Sequence, residues 1–548
     1  MVAYRTAPDP EETGWPKGIP YIIGNEGCER FSFYGMKAIL FVYISYLLRH
    51  SGVTEALAEG HATEVVHTFI AGVYALPMVG AVIADRWWGK YPTIVWLSLV
   101  YCAGHACLAI FDGNFRGSVV GLVLIALGSG GIKPCVSAHV GDQFGRGNAS
   151  KVERIYLAFY FIVNFGSFFS TLLIPWLKRE AGFGLAFALP GILMGIATIW
   201  FWSGRHVFVH VPPKPGGKLG AIDVLSGVLL FATIAFPMFG AGLLPAYAAL
   251  PVLARIAVSL ACLLAGLLVF GWRQTLEPDD GFLAVLVYAL RAKFTRHELP
   301  PLRAVDARER EAELARHPFW GPAVERFGLE AAEGPPAVLR IITVFLMVSM
   351  FWALFDQHAS SWVAQARDMD RRFELFGLSF ELMPEQVSSA NPLLVMLLVP
   401  LMGYVVYPGV AKLLKREFTA LQRMTVGMSI TAFAFVIVAL AQERLDAGQS
   451  VHIGVQLLAY LVLTTSEVMV SVTGLEFAYT QAPRRMKALL MGFWLLAVSF
   501  GNILVALLSG LGNLPRAQFF WTFAGLMFVA ALVFGVRAAF YRDKTYLQ

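Results

Sequence analysis

Apolar runs of about 20 residues recur from one end of this chain to the other, separated by short polar breaks. That is the length a helix needs to cross a bilayer core. The runs predict helices over roughly 18–49, 62–84, 91–111, 117–140, 153–177 and 183–203, then 219–243 and 249–272, then 337–362, 387–408, 419–441, 453–475, 485–508 and 517–540. An even number of crossings, about fourteen, puts both termini on one side. Basic residues cluster in the N-terminal segment and in alternate loops: Arg86 and Lys90; Arg146, Lys151 and Arg154; Arg205, Lys214 and Lys218; Lys412, Lys415 and Arg416; Arg484, Arg485 and Lys487. The excess is roughly threefold, which predicts that both termini are cytoplasmic. The organisation reads as a six-helix bundle over 1–205, a two-helix insert with a polar linker over 206–336, and a second six-helix bundle over 337–548. The linker, which includes RAKFTRHELPPLRAVDARER, is expected to be a solvated cytoplasmic segment with an amphipathic helix. The 219–272 hairpin carries little intramembrane charge and is expected to be peripheral to any pathway.

Composition narrows the class. The chain has 548 residues, 57% hydrophobic and 15% charged, against about 25% charged in a soluble domain. Mean hydropathy is +0.63. An all-α polytopic membrane protein is expected, lying in the bilayer as a monomer. The isoelectric point near 9.0 reflects loop topology and not a nucleic-acid partner. The first 18 residues are polar and lack an apolar signal core, so no cleaved leader is expected. Five cysteines (Cys28, Cys102, Cys107, Cys135 and Cys262) sit in apolar segments without the spacing of a metal site or a disulfide framework. No HExxH-type cluster or nucleophile–base pair at the membrane face points to an enzyme.

The candidate chemistry lies in charges inside apolar helices, which are costly and by default mark an ion or substrate pathway. Glu26, Glu29, Arg30 and Lys37 all fall on the first helix. Glu26 and Arg30 are four residues apart and so are surface neighbours. Lys37, seven beyond Arg30, returns to the same face about 10 Å along the axis. His67 and Tyr74 share a face of the second helix; a lone histidine reads equally as a packing residue or as a protonatable group near physiological pH. Lys133 lies deep in the fourth helix among glycines that allow close approach and beside Pro134, which invites a kink. Two buried cations and several carboxylates predict a site for a ligand that carries both signs of charge.

The loop Ala84–Lys90 resembles the Asp-Arg loop of the major facilitator superfamily. The stretch Glu26, Glu29, Arg30, Phe31 and Tyr34 resembles the ExxERFxYY motif of the proton-dependent oligopeptide transporter (POT, or PTR) family. Gly128–Phe144 resembles that family's GxGGIKPCVSAFGxDQF signature. Phe351–Gln357, Asn391-Pro392, Ser466–Glu476 and Met491–Leu496 match further motifs in the family's order. The resemblance implies a major facilitator fold, two six-helix bundles plus a two-helix insert, and proton-driven symport of di- and tripeptides across a plasma membrane, such as the bacterial inner membrane. No cofactor is implied beyond the coupling proton.

Carried over by the resemblance, Arg30 and Lys133 hold the peptide carboxylate, Glu467 holds its amino terminus, and Asn164 and Asn391 hydrogen-bond its ends and backbone. Tyr34, Tyr74 and Trp494 line side-chain pockets. Lys37 and Asp356 form an outer gate, and His67 and Asp356 join Glu26, Glu29 and Arg30 in proton coupling. Two positions depart from the pattern: Phe33 stands where the motif usually has Tyr, and His139 where the signature usually has Phe. On the residues alone, Asn164 reads equally as a helix–helix hydrogen bond, Glu467 can be a structural ion pair with Lys133, and Trp494 and Tyr74 can be packing residues. The expected coupling is a competition: a substrate carboxylate that takes Arg30 frees a neighbouring glutamate to accept a proton. A carrier of nitrate or another small solute, and a non-transporting receptor on the same fold, are the alternatives. Glu467 argues against an inorganic anion, which has no amine for it to receive.

Overall fold

Thirteen helical runs among the described residues are long and apolar enough to cross a membrane. One of them, Arg154–His206, has 53 residues and would be ~80 Å long if straight, more than twice a bilayer core. It turns back at Gly182, whose φ of 84° lies in the left-handed region that a side chain disfavours. The run is therefore two crossings, and the crossings number fourteen. The computed structural model describes residues 4–295, 314–375, 378–481, 483, 486–510 and 514–541.

The first half contains α1 (Ile19–His50), α2 (Glu55–Trp88), α3 (Lys90–Ile110), α4 (Phe115–Asp142), α5 (152–181) and α6 (183–203). The insert is α7 (Gly217–Gly240) and α8 (Val252–Leu276). After α9 (Phe282–Thr295) and α10 (Gly321–Phe327), the second half contains α11 (Gly334–Phe355), α12 (Ser361–Asp368), α13 (Pro384–Leu414), α14 (Ala420–Asp446), α15 (Gly454–Ala478), α16 (Lys487–Gly510) and α17 (Arg516–Ala539). Each half has its own apolar core. Val363 and Ala364 of α12 pack into the core of the first half, so the two halves interlock there.

Several elements were not legible in the pattern. Asp356–Ala359 forms a 3₁₀ turn that interrupts the α11–α12 crossing, and the π-helical turn Val468–Val472 follows Glu467 directly. Such irregular turns frequently mark functional sites. A short antiparallel hairpin, β1 (Arg372–Leu375) with β2 (Leu378–Glu381), pairs Phe373 with Phe380 between two crossings.

In the linker region, Val285 and Ala289 of α9 form a small apolar core with Trp320, Ala323 and Val324. Its flanks are therefore folded, not simply solvated. Residues 296–313 of the linker lie outside the described residues, as do Arg484 and Arg485.

The insert packs on the first half. A Cβ on Gly220 would sit 1.8 Å from the Arg86 carbonyl oxygen, so α7 lies directly on that backbone. Ser226 Oγ donates to the Gly266 carbonyl at 3.1 Å, and Arg273 Nε to Asp223 at 2.7 Å. The outer face of α8 is apolar and open, with Leu253 80% exposed, as a lipid-facing helix requires.

Candidate functional site

The charged face of α1 is organised by one guanidinium. Arg30 Nε donates to Glu26 Oε1 at 2.6 Å and lies 3.1 Å from Glu29 Oε2. The four-residue spacing brings Glu26 alongside Arg30. Ser129 Oγ of α4 donates to the other Glu29 oxygen at 2.8 Å. Glu26 is 2% exposed and Glu29 is fully buried. The terminal nitrogens of Arg30 make no hydrogen bond among the described residues, which leaves the fork of the guanidinium open to an oxyanion.

Lys133 approaches from α4. Its Nζ stands 4.4 Å from the Phe33 ring centre and 4.2 Å from that of Tyr74. It has no hydrogen-bond partner among the described residues. The ammonium is thus held by ring faces. The structural ion pair with Glu467 that the sequence allows is not formed. Phe33, which the sequence registers as a lost hydroxyl, supplies one of those faces.

Glu467 projects from α15 at the start of its π turn. Asn391 Nδ2 of α13 donates to Glu467 Oε2 at 2.7 Å and also reaches Thr464 Oγ1 at 3.1 Å. Tyr34 of α1 packs edge-on to Phe33, one of the rings that face Lys133. The cations Arg30 and Lys133 thus belong to the first half and the carboxylate Glu467 to the second. Asn164 donates to the Tyr160 carbonyl of its own helix at 2.9 Å. Trp494 is not brought to the group: at 3% exposed it packs edge-on against Phe345 and against Gly474 in the second core. His139 also packs, edge-on to Phe201 and Phe208.

On the side where α1 ends, the halves are clasped. Lys37 Nζ donates to Asp356 Oδ1 at 2.8 Å, with both groups buried. Asn502 Nδ2 of α16 donates to Asp356 Oδ2 at 2.8 Å. His67 Nδ1 meets Asn502 Oδ1 at 2.7 Å, and its Nε2 meets Ser360 Oγ at 2.8 Å. The amide oxygen accepts only, so Nδ1 carries a proton. Nε2 then accepts from Ser360 in the neutral ring and donates to it in the imidazolium. Ser499 Oγ of α16 donates to the Ala71 carbonyl of α2 at 2.7 Å. Further along, Lys178 pairs with Glu385, and Glu59 takes Arg516 at 2.8 Å and Arg367 at 3.3 Å.

The structure brings Lys37, His67 and Asp356, all singled out from the sequence, into one cluster; the sequence reading did not single out Asn502, Ser360, Ser129, Thr464 and Tyr160. Asn502 had a signal, an amide inside the apolar run FGNILVALL. The hydroxyl residues had none, since serine and threonine in a membrane helix usually bond their own backbone.

The POT family pattern matches residues 91–241 and 312–522. Solute carrier family 15 member 1 of Oryctolagus cuniculus is 32% identical over 459 residues, covering 79% of this chain and 53% of that protein. Solute carrier family 15 member 2 of Homo sapiens is 31% identical over 481 residues, covering 85% and 54%. The chain spans about half the length of these curated relatives. Among solved structures, an auto-inhibited POT family peptide transporter is 36% identical with a TM-score of 0.75, covering 97% of this chain and 99% of that one. The POT family transporter PepTSo is 36% identical with a TM-score of 0.73, covering 96% and 98%.

Proposed function

The chain belongs to the POT family, and from that premise we propose that it is a proton-coupled symporter that imports di- and tripeptides by alternating access. The observation that carries this is that cationic groups still open to a ligand and a carboxylate without a cationic partner among the described residues stand on opposite halves. Arg30 and Lys133 stand on the first half, with the Arg30 terminal nitrogens unengaged and the Lys133 ammonium held by rings. Glu467 stands on the second half, held among the described residues by the neutral amide of Asn391. A small peptide is a zwitterion, and both of its ends find an available partner of opposite sign. Asn391 supplies a hydrogen bond between those ends.

Coupling follows as a competition on α1. Arg30 is shared by Glu26 and Glu29. A peptide carboxylate that draws Arg30 away weakens the support of their charges, and one of them takes a proton. A potential of about 100 mV supplies roughly 2.3 kcal/mol per charge, a roughly fiftyfold concentration ratio, so one proton per neutral peptide suffices for accumulation. Lys37 and Asp356, joined by a buried hydrogen bond, are the outer gate pair, and both termini lie in the cytoplasm, with the plasma membrane (in a bacterium, the inner membrane) as its site. The transporter acts as a monomer and needs no cofactor other than the proton.

The test is uptake of labelled dipeptide into liposomes under an imposed proton gradient. Accumulation that collapses when the gradient is removed is expected. Absence of uptake, or displacement of dipeptide by nitrate, overturns the proposal.

A further inference from the structure

On the side where α1 ends, the two halves leave a cavity of about 760 Å³ between them, a size that suits a small-molecule site. Phe41 of α1, Thr63 of α2 and Ser361 of α12 are among the residues that line it. Phe41 lies one helical turn beyond Lys37, and Thr63 one turn before His67. Ser361 follows Ser360, which meets His67. The cavity therefore adjoins the cluster around Asp356, toward the end of α1 and the start of α2. Arg30, Lys133 and Glu467 do not line it.

The charges on its wall are unevenly paired. Arg516 is engaged twice, by Asp368 at 2.6 Å and by Glu59 at 2.8 Å. Arg367 is not. Its Nη1 lies 3.3 Å from Glu59 Oε1 and 3.8 Å from Glu55 Oε1. Its Nε and Nη2 are buried and have no partner among the described residues. Those two nitrogens form one edge of the guanidinium, the edge that grips a carboxylate with two parallel hydrogen bonds. Asp446, at the end of α14, is the complement. Gln442 Nε2 donates to its Oδ1 at 2.8 Å, and no cation pairs with it among the described residues. Arg367 and Asp446 line the same cavity.

We propose that this cavity is an entry site, which binds the zwitterionic peptide outside the Lys37–Asp356 pair with the peptide carboxylate on Arg367 and its ammonium on Asp446. The proposal deepens the peptide-transport reading and rests on it for the identity of the ligand. A carboxylate takes the Nε–Nη2 edge without displacing a protein acceptor, and Glu59 keeps its bond to Arg516. An inorganic anion would satisfy Arg367 but leave Asp446 with its neutral amide alone, so the site favours a ligand that carries both charges.

Leu514, also on the cavity wall and 48% exposed, serves as the reporter. Leu514→Cys is made in the full chain, and its alkylation by a maleimide is timed on the solubilised protein by mass spectrometry of the peptide that carries position 514. A dipeptide is expected to slow the alkylation several-fold. An N-acetylated dipeptide amide, which lacks both charges, is expected to leave the rate unchanged. Protection should persist when Glu467→Gln is added, because that residue lies outside the cavity. With Arg367→Gln added, the dipeptide concentration for half protection should rise by about tenfold. Asp446→Asn, on a different helix, should raise it likewise and guards against a folding defect in the first variant. Protection that is absent, that both variants leave unchanged, or that Glu467→Gln alone removes overturns the proposal. Protection without gradient-driven uptake counts against the transport reading alone, and uptake without protection against the entry site alone.

Discussion

His67 and Asp356 are joined through a single side chain, the amide of Asn502. It accepts from the imidazole at 2.7 Å and donates to the carboxylate at 2.8 Å. Because Lys37 holds the other Asp356 oxygen, four residues from α1, α2, α16 and the α11–α12 turn form one connected unit. A change in the hydrogen bonding of His67 would therefore reach the Lys37–Asp356 pair through an amide held at both ends.

Asn502→Leu is expected to cut that connection. A buried hydrogen bond to a charged group contributes about 1.5–3 kcal/mol, so initial rates of gradient-driven uptake should fall by roughly tenfold or more. Asn502→Asp should fare no better, since its carboxylate keeps the contact to His67 but repels Asp356. Uptake by either variant at the unaltered rate, with its thermal unfolding unchanged, would show that the amide only packs.

The pairing of Lys37 with Asp356 admits a reciprocal test. Each single reversal, Lys37→Asp or Asp356→Lys, buries two like charges against each other and should abolish transport. The double exchange restores opposite charges in the same buried place and should recover a measurable part of the uptake. If the double variant is folded and as inactive as the singles, the two residues do not act as a gate pair.

Glu467→Gln separates charge from hydrogen bonding at the second half. The glutamine side-chain carbonyl can still accept from Asn391, so local structure should hold. Without the negative charge, the dipeptide amino terminus loses its ionic partner. Competition binding should show dipeptide affinity falling by about tenfold or more, while an N-acetylated dipeptide, which has no ammonium, should bind the two proteins nearly equally. A parallel loss for both ligands would place Glu467 outside amine recognition.

What the sequence made legible follows from the membrane itself. Burying backbone in hydrocarbon demands full-length apolar helices, so the fourteen crossings could be counted, and Glu26, Arg30, Lys133 and Glu467 stood out as costly charges within them. Their partners were harder to see. Asn502 is 435 residues from His67, and helical periodicity reports only the face that a residue occupies on its own helix. The ring clasp on Lys133 was hidden for a different reason: Phe33 and Tyr74 look like ordinary packing residues. The break after Glu467 left no mark, because a π turn needs neither glycine nor proline. The β1–β2 hairpin fell in a short stretch between two crossings, too brief to compete with them.

The glycines of α2 provide a sharp contrast within one helix. A Cβ on Gly80 would come 2.5 Å from the Gly131 Cα and 2.9 Å from its carbonyl oxygen. Those are backbone atoms and cannot rotate aside, so α2 and α4 must part for any side chain to fit. A Cβ on Gly72 would meet the Ala126 Cβ at 3.8 Å, an ordinary contact. Gly80→Ala should therefore lower the thermal unfolding temperature in detergent, at an overpacking cost of about 1–3 kcal/mol. It should also disturb Lys133, two residues beyond Gly131, and so weaken dipeptide binding. Gly72→Ala should leave the unfolding temperature unchanged or slightly raised, because alanine favours the helix over glycine by up to about 1 kcal/mol. Equal tolerance at both positions would mean that the close approach of α2 and α4 is not needed to hold Lys133 in place.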